Sequence, residues 1–389
     1  MKCALVLADG AVFYGDAFGS TPPTVNELIE VPREDGDLSL QNLGEVVFNT
    51  AMTGYPEVLT DPSYTGQIVV MTSPQIGNYG IDSQWAESAA DEDRPIKVAG
   101  FVVRDLHRGS VPPGRKSLEA YLADHRIPGI TAVDTRALTL NLRDNGSRNG
   151  LICRSVAGDR LSPEELAAAT RIVKGFPVME GRSLVTAVGS REVVHLRGGG
   201  GGSGSAGAHI ALYDCGIKSN IVRELQKRGC SLSLMPSTAT AQEIRATGAS
   251  AVLLSNGPGD PAVLTHQVEQ TRELLGTIPV LGICLGHQII AEAVGGQTFK
   301  MSFGHHGVNH PVRDERQGRV FVTSQNHGFA VREDSLPETT TVWFRNANDD
   351  TVEGLWDDTL RIRTTQFHPE SAPGPHDSTW IFNAFLEVL

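Results

Sequence analysis

Cys284 stands between Gly282 and Gly286, where one kind of apolar pattern gives way to another. Ile278 to Ile283 is a short apolar run of strand length, and Leu285, Ile289, Ile290 and Ala293 recur at helical spacing. That is the pattern of a strand–turn–helix nucleophile elbow, with Cys in the place that Ser takes in G-x-S-x-G. The two glycines permit a tight turn and the close approach of the backbones around it. Such a turn lifts the sulfur above a sheet edge at the start of a helix, where backbone N–H groups favour a thiolate. The competing reading is a buried structural cysteine, the usual condition of a free thiol.

A nucleophilic thiolate needs a base and hydrogen-bond donors for the oxyanion that it creates. His368, in Gln366-Phe367-His368-Pro369-Glu370, follows a late apolar strand and is the best candidate base. Glu370 could hold its imidazole in one tautomer, the task of a triad's third member. Taken alone, His368 is a strand-end residue and Glu370 a solvated acid; beside the elbow, a Cys–His–Glu triad is the preferred reading. Asn256-Gly257-Pro258-Gly259-Asp260 ends the strand before the elbow unit. It is a plain turn, a phosphate loop, or a source of N–H groups that act with Leu285 as an oxyanion hole. Each such donor is worth roughly 3 kcal/mol in a transition state. The phosphate reading lacks the G-x-x-x-x-G-K-[ST] lysine.

Gly304-His305-His306-Gly307-Val308-Asn309-His310 invites a metal reading, and so does Cys284 with His287. Neither has ligand spacing with a distant partner pair, so a surface loop and no metal are expected. Gln325-Asn326-His327-Gly328-Phe329 is either a turn or a substrate contact. Ser63 attracts no assignment from its own surroundings.

The elements that must position these residues alternate regularly after residue 208. Strands are expected at 210–213, 231–235, 251–255 and 278–283, with helices at 219–228, 241–246 and 262–275 between them. That alternation predicts a parallel sheet with flanking helices, whose sites lie at the carboxyl ends of strands. Further strands are expected at 320–323, 341–344 and 362–367, and a closing amphipathic helix at 380–388. The first half is irregular: a hairpin around Asp9-Gly10, a polar excursion over 20–44, strands at 45–48, 66–72, 97–104 and 151–156, and helices at 134–142 and 163–173. Asn49 to Tyr64 is dominated by turn formers and is expected as a loop-rich surface. The expected organisation is a smaller mixed α/β domain at 1–190, a flexible Gly/Ser linker at 191–208, and an α/β domain at 209–389.

Composition sets outer limits. The chain has 389 residues, 40% hydrophobic and 20% charged, with a net charge of −12. That argues against a general nucleic-acid or membrane-surface binder. No apolar run reaches the length of a signal peptide core or a membrane span. Five scattered cysteines without C-x-x-C suit free thiols in a reducing, cytoplasmic setting.

Together, Gly-Ile-Cys-Leu-Gly-His-Gln at the elbow, Ser-Asn-Gly-Pro-Gly-Asp and Phe-His-Pro-Glu resemble class I glutamine amidotransferases. Within that class the chain resembles the small, glutaminase subunits of carbamoyl phosphate synthetases. The narrower likeness rests on 304–311, 324–331 and 371–375, and on Gly44–Thr50, Thr53-Gly54-Tyr55, Leu59–Tyr64 and Ile76–Gly80 in the first half. It implies Cys284 as nucleophile, His368 as base and Glu370 as orienting acid. It implies oxyanion N–H groups from Gly257 and Leu285, and glutamine contacts from Ser63, Gly257, Gly259, Gln288, Asn326, Gly328 and Phe329. It also implies a large-subunit partner in which ATP, Mg, bicarbonate and ammonia give carbamoyl phosphate for arginine and pyrimidine synthesis. No cofactor is expected in this chain. The excursion at 20–44 and the glycine tether are longer than the family leads one to expect. A stand-alone Cys hydrolase of γ-glutamyl compounds, a non-catalytic binding module and the glutaminase of another synthase are the alternatives. The filled triad positions count against the binding module and the first half against another synthase, while co-purification of a large ATP-using subunit would separate the hydrolase.

Overall fold

The computed structural model describes residues 1–29, 42–88, 94–198 and 207–389, and the chain divides into two compact units. The first comprises Met1–Ala86 and Arg94–Arg182, the second Glu87–Asp93 and Ser183–Leu389.

The first unit contains β1 (Lys2–Leu7), β2 (Val12–Gly19), β3 (Leu43–Asn49), β4 (Gln67–Met71), the two-residue β5 (Gln75–Ile76), β6 (Gly100–Val102), β7 (Asp105–Leu106), β8 (Pro128–Thr131) and β9 (Arg148–Cys153). Its helices are α1 (Val25–Ile29), α2 (Tyr55–Thr60), α3 (Leu118–Asp124), α4 (Thr135–Asn145) and α5 (Pro163–Gly175). Among the described residues seven strands close into a barrel in the order β1-β2-β8-β6-β4-β3-β9. The expected hairpin is present: Val6 pairs with Val12 around Asp9-Gly10, and Gly10 takes a φ of 89° that a side chain disfavours. Leu5, Leu7, Val46, Ile68, Val70, Val102, Ile130 and Ile152 fill one apolar cluster on alternate strand positions.

Asn49 to Tyr64 differs from its expectation. It holds α2 and a 3-10 turn at Pro62–Tyr64, and most of it is buried rather than surface. Pro56 suits the first helical turn, and Tyr55, Val58 and Leu59 share its buried side. The turn formers that dominated the sequence, Gly54 and Asp61, are the flanks of this short helix. Of the expected excursion at 20–44, residues 30–41 lie outside the described residues. Before them Val25 and Leu28 of α1 are buried.

The second unit contains β10 (Val194–Leu196), β11 (His209–Asp214), β12 (Ser231–Pro236), β13 (Ala251–Leu254), β14 (Val280–Ile283), β15 (Gln297–Asp314), β16 (Arg319–Arg332), β17 (Thr341–Asn346), β18 (Val352–Asp357) and β19 (Ile362–Thr365). Its helices are α6 (Ser219–Lys227), α7 (Ala241–Ala246), α8 (Thr265–Leu274), α9 (Leu285–Ala293) and α10 (Ile381–Leu386). Among the described residues the strands form one sheet, ordered β10-β12-β11-β13-β14-β19-β18-β16-β15-β17. Its centre, β12-β11-β13-β14-β19, is parallel, as the alternation predicts. Period-two alternation sorts the core onto two faces. Ile210, Leu212, Leu253 and Leu281 meet Ile221, Leu225, Ile381 and Phe385 on one side. Ala211, Tyr213, Val252, Leu254 and Val280 meet Ile244, Leu274, Ile289 and Ile290 on the other.

Two further differences bear on the site. The stretch expected as linker holds β10, which pairs antiparallel with β12; the glycine run at 199–206 lies outside the described residues. The expected surface loop at 304–310 lies inside β15, paired with β16, and His305 and His306 are buried. The pairing shifts register between Lys300/His305 and Gly307/His310. Those irregularities and the Gly304 turn (φ 70°) conceal the strand pattern in the sequence.

Candidate active site

The elbow has the expected geometry. β14 ends at Ile283, α9 begins at Leu285, and Cys284 between them has φ 54° and ψ −106°. A non-glycine residue held at positive φ costs about 1–3 kcal/mol and persists only where its surroundings fix it. Here they do. The Cys284 N–H donates to Thr365 O (2.8 Å), its carbonyl accepts from the Gln288 N–H (3.2 Å), and the Gly286 N–H donates to Ser255 O (3.0 Å). Both flanking glycines are required sterically. A Cβ at Gly282 would stand 2.6 Å from Ile290 Cδ1 and 2.8 Å from the Gly286 carbonyl carbon. A Cβ at Gly286 would stand 2.1 Å from Leu254 O.

His368 follows β19, which pairs parallel with β14, so the sheet brings it to the elbow. Its backbone N–H donates to Ser324 O (2.9 Å). Its ring Nδ1 bonds to Glu370 Oε1 at 2.7 Å, with both side chains buried. An Nδ1–H donor to a carboxylate leaves Nε2 as the atom that exchanges a proton with a substrate or nucleophile. Burial by itself would lower the His368 pKa. The charge of Glu370, and after it that of the nearby Cys284 sulfur, instead raises it to about 10. In this resting arrangement Cys284 Sγ lies 3.5 Å from Asn326 O, and among the described residues Nε2 has no well-directed partner. Catalytic hydrogen bonds commonly tighten only once substrate is bound.

Glu370 is held from behind by residues that the sequence did not flag. Lys218 Nζ lies 3.0 Å from Glu370 Oε1 and 2.6 Å from Ser371 O, with both side chains of the ion pair buried. Asn220 Nδ2 donates to the Glu370 carbonyl at 2.7 Å. Burial would raise the Glu370 pKa, but Lys218 and then His368 bring it down to about 2. A lysine in Gly216-Ile217-Lys218-Ser219 looks like an ordinary helix-start residue. Only its burial marks it, and no sequence signal predicts that.

The other expected residues fall as follows. Gly257 follows β13, packed so closely that a Cβ would stand 2.1 Å from Cys215 O and 3.0 Å from Leu285 Cδ2. Among the described residues neither its N–H nor that of Leu285 has an acceptor, which leaves both donors for an oxyanion. Gly259 has a φ of 99° and bridges to Ser183. Gln288 Nε2 donates to Phe329 O (2.8 Å) and Gln366 Oε1 (3.0 Å), joining α9 to β16 and to the residue just after β19. Asn326 offers its carbonyl to the Cys284 sulfur while its side-chain Oδ1 bonds His306 Nδ1 at 2.9 Å. Gly328 and Phe329 pass beneath Lys300, whose Nζ lies 4.9 Å from the Phe329 ring centre. Ser63 lies in the first unit, in the 3-10 turn whose N–H donates to Asp61 Oδ1 at 2.9 Å.

His287 does not join Cys284. Its ring bonds Thr364 Oγ1 at 2.8 Å, and burial lowers its pKa to about 3. The ligating atoms of His305, His327 and Glu353 do lie within 4.8 Å of one another. Asp349 and Glu353, as hydrogen-bond and charge partners, outweigh burial there and raise the His305 pKa to about 9. Among the described residues no helix is long and apolar enough to cross a membrane.

Comparison with known proteins agrees with this geometry. The family described as glutamine amidotransferase class-I matches residues 211–388. The carbamoyl-phosphate synthase small chain, CPSase domain, matches residues 5–152. Proteins called carbamoyl phosphate synthase small chain are similar end to end. That of Methanopyrus kandleri is 44% identical over 100% of this chain and 99% of its own. Those of Syntrophotalea carbinolica and Akkermansia muciniphila are each 42% identical over 100% of this chain and 98% of theirs.

Proposed function

The chain belongs to the carbamoyl phosphate synthase small-chain family and has its glutaminase role, and from that premise we propose that Cys284, His368 and Glu370 carry out the hydrolysis. The Cys284 sulfur attacks the side-chain amide carbon of glutamine, and the C=O electron pair moves onto oxygen. The Gly257 and Leu285 N–H groups hold that oxyanion. His368 Nε2–H protonates the leaving nitrogen as the C–N bond breaks, ammonia departs, and a thioester remains. His368, now neutral at Nε2, takes a proton from water; the hydroxide adds to the thioester carbon, and the thiolate leaves glutamate behind. Glu370 keeps Nδ1–H in place throughout. The observation that carries this reading is the strained Cys284 turn facing a histidine whose far nitrogen is fixed by a buried, Lys218-paired carboxylate.

Glutamine is the substrate, with contacts from Gly257, Gly259, Leu285, Gln288, Asn326, Gly328 and Phe329. The partner is a large subunit that binds ATP and Mg and consumes the ammonia with bicarbonate to form carbamoyl phosphate. The pair works in the cytoplasm and feeds arginine and pyrimidine synthesis. Ammonia released into water becomes ammonium, which is not a nucleophile, so it passes to the partner by a shielded route. The test is Cys284→Ser in the complex with the large subunit. Glutamine-dependent carbamoyl phosphate synthesis is expected to vanish while ammonia-dependent synthesis continues; persistence of the glutamine reaction refutes the assignment.

A further inference from the structure

Helix α6 begins without a cap of its own: its N-cap residue is Lys218, whose side chain makes no capping bond. The acceptors come from Glu87, far away in the sequence. Its carbonyl accepts the Ser219 N–H at 3.0 Å and its Oε2 accepts the Asn220 N–H at 3.0 Å. One residue thus satisfies the first two orphan donors of the helix. Its other oxygen, Oε1, lies 3.4 Å from Arg223 Nη1. Glu87 is 1% exposed, and its neighbour Ser88 bridges to Lys218.

The turn that Glu87 caps is the one that grips the catalytic acid. Lys218 pairs with the Glu370 carboxylate and Asn220 bonds the Glu370 carbonyl, so both ends of that residue are held from the first turn of α6. The Glu370 oxygen that meets Lys218 is the same Oε1 that accepts His368 Nδ1. A shift of this turn therefore changes how Lys218 and His368 share one oxygen atom. The charged groups acting on Glu87 are Lys218 and Arg223 of α6 and Glu370 of the C-terminal loop. Behind Glu370 stand His368 and Cys284.

We propose that Glu87 is a positioning residue for the glutaminase triad, capping α6 so that Lys218 and Asn220 hold Glu370 in line with His368, and supplying the negative charge that offsets Lys218. This rests on the triad reading given above. Burial raises the Glu87 pKa to about 7, against the pull of Lys218 and Arg223. For a carboxyl raised in the folded state, stability is greatest below its ordinary value near 4.5 and falls as pH rises through about 7.

Glu87→Gln keeps the shape and one acceptor for the Asn220 N–H, and removes the charge. Full-length parent, Glu87→Gln, Glu87→Ala and Cys284→Ser chains are treated with a chloroketone analogue of glutamine, and alkylation is followed against pH. In Glu87→Gln the Lys218 charge is less offset, so the imidazolium of His368 is less favoured. The alkaline limb is expected to move to lower pH by about half a unit or more. The maximal alkylation rate is expected to fall about tenfold, with half-saturation changed less than about threefold. A Glu87→Gln profile that overlays the parent's overturns the proposal and leaves Glu87 a merely structural cap. If Glu87→Ala fails to fold, Glu87→Gln still decides. Parent and Cys284→Ser labelling alike would sink the triad reading, and this proposal with it.

Discussion

Gly286→Ala tests whether the elbow depends on backbone proximity. The new methyl would lie 2.1 Å from Leu254 O, 2.6 Å from the Leu254 carbonyl carbon and 2.8 Å from Leu254 Cβ. Carbon and oxygen rest at about 3.3 Å or more, so roughly 1.2 Å of separation must be found. β13 cannot supply it, because it is paired with β11 on one side and β14 on the other. The start of α9 must move instead, breaking the Gly286 N–H to Ser255 O bond and carrying Cys284 and the Leu285 N–H with it. Overpacking of this kind costs about 1–3 kcal/mol of stability. A misplacement of about 1 Å at a reacting atom costs on the order of 100-fold in rate. The assay is glutamine hydrolysis in the complex with the large subunit, with thermal unfolding in parallel. Gly175→Ala is the control: a Cβ there meets nothing within 4 Å, so activity should be unchanged. If Gly286→Ala hydrolyses glutamine within twofold of the parent, the close-contact account of the elbow is wrong.

Lys218→Met should leave Glu370 buried with its main counter-charge gone, lowering stability by about 3–5 kcal/mol and raising the carboxyl pKa; denaturant melts and the pH profile of alkylation measure the two effects. The Glu370 pKa is lowered from 4.5 to about 2, so its stabilising contribution is complete above 4.5 and is lost as pH falls toward 2. The His368 pKa is raised from 6.5 to about 10, so that contribution is complete below 6.5 and is lost as pH rises through 10. The melting-temperature gap between parent and His368→Asn should therefore narrow steadily over that alkaline span; a gap independent of pH contradicts the assignment. The isolated chain should hydrolyse glutamine far more slowly than the complex, since such sites are commonly completed by their partner. Full activity without the large subunit, in a steady-state glutamate assay, removes the gating idea.

The parallel centre of the second unit was legible because its apolar runs, helical spacing and glycine punctuation agree with one another. The elbow was legible for the same reason, since Gly282, Cys284 and Gly286 are fixed by local sterics. The long hairpin β15–β16 was not. Its middle, Gly304 to His310, is full of residues that normally favour loops, and it becomes strand because His305 and His306 find Asp349, Glu353 and Asn326. Those partners are remote in sequence, so no window around residue 305 contains the reason. Tyr55–Thr60 was hidden by the turn formers at its own ends. Lys218 and Glu87 illustrate the same limit: each is ordinary by type, and each matters through a buried neighbour more than 100 residues away.

The pairing of β14 with β19 also orders events in time. The ribosome delivers residue 284 well before residue 368, a gap of 368 − 284 = 84 residues, or about 4–17 s at ordinary rates of synthesis. Through that interval the nascent chain has the Cys284 sulfur but not the His368 imidazole proposed to serve it. On the proposed triad, amide cleavage is thus withheld until β19 has been threaded into place, and a product terminated before residue 368 wastes no glutamine.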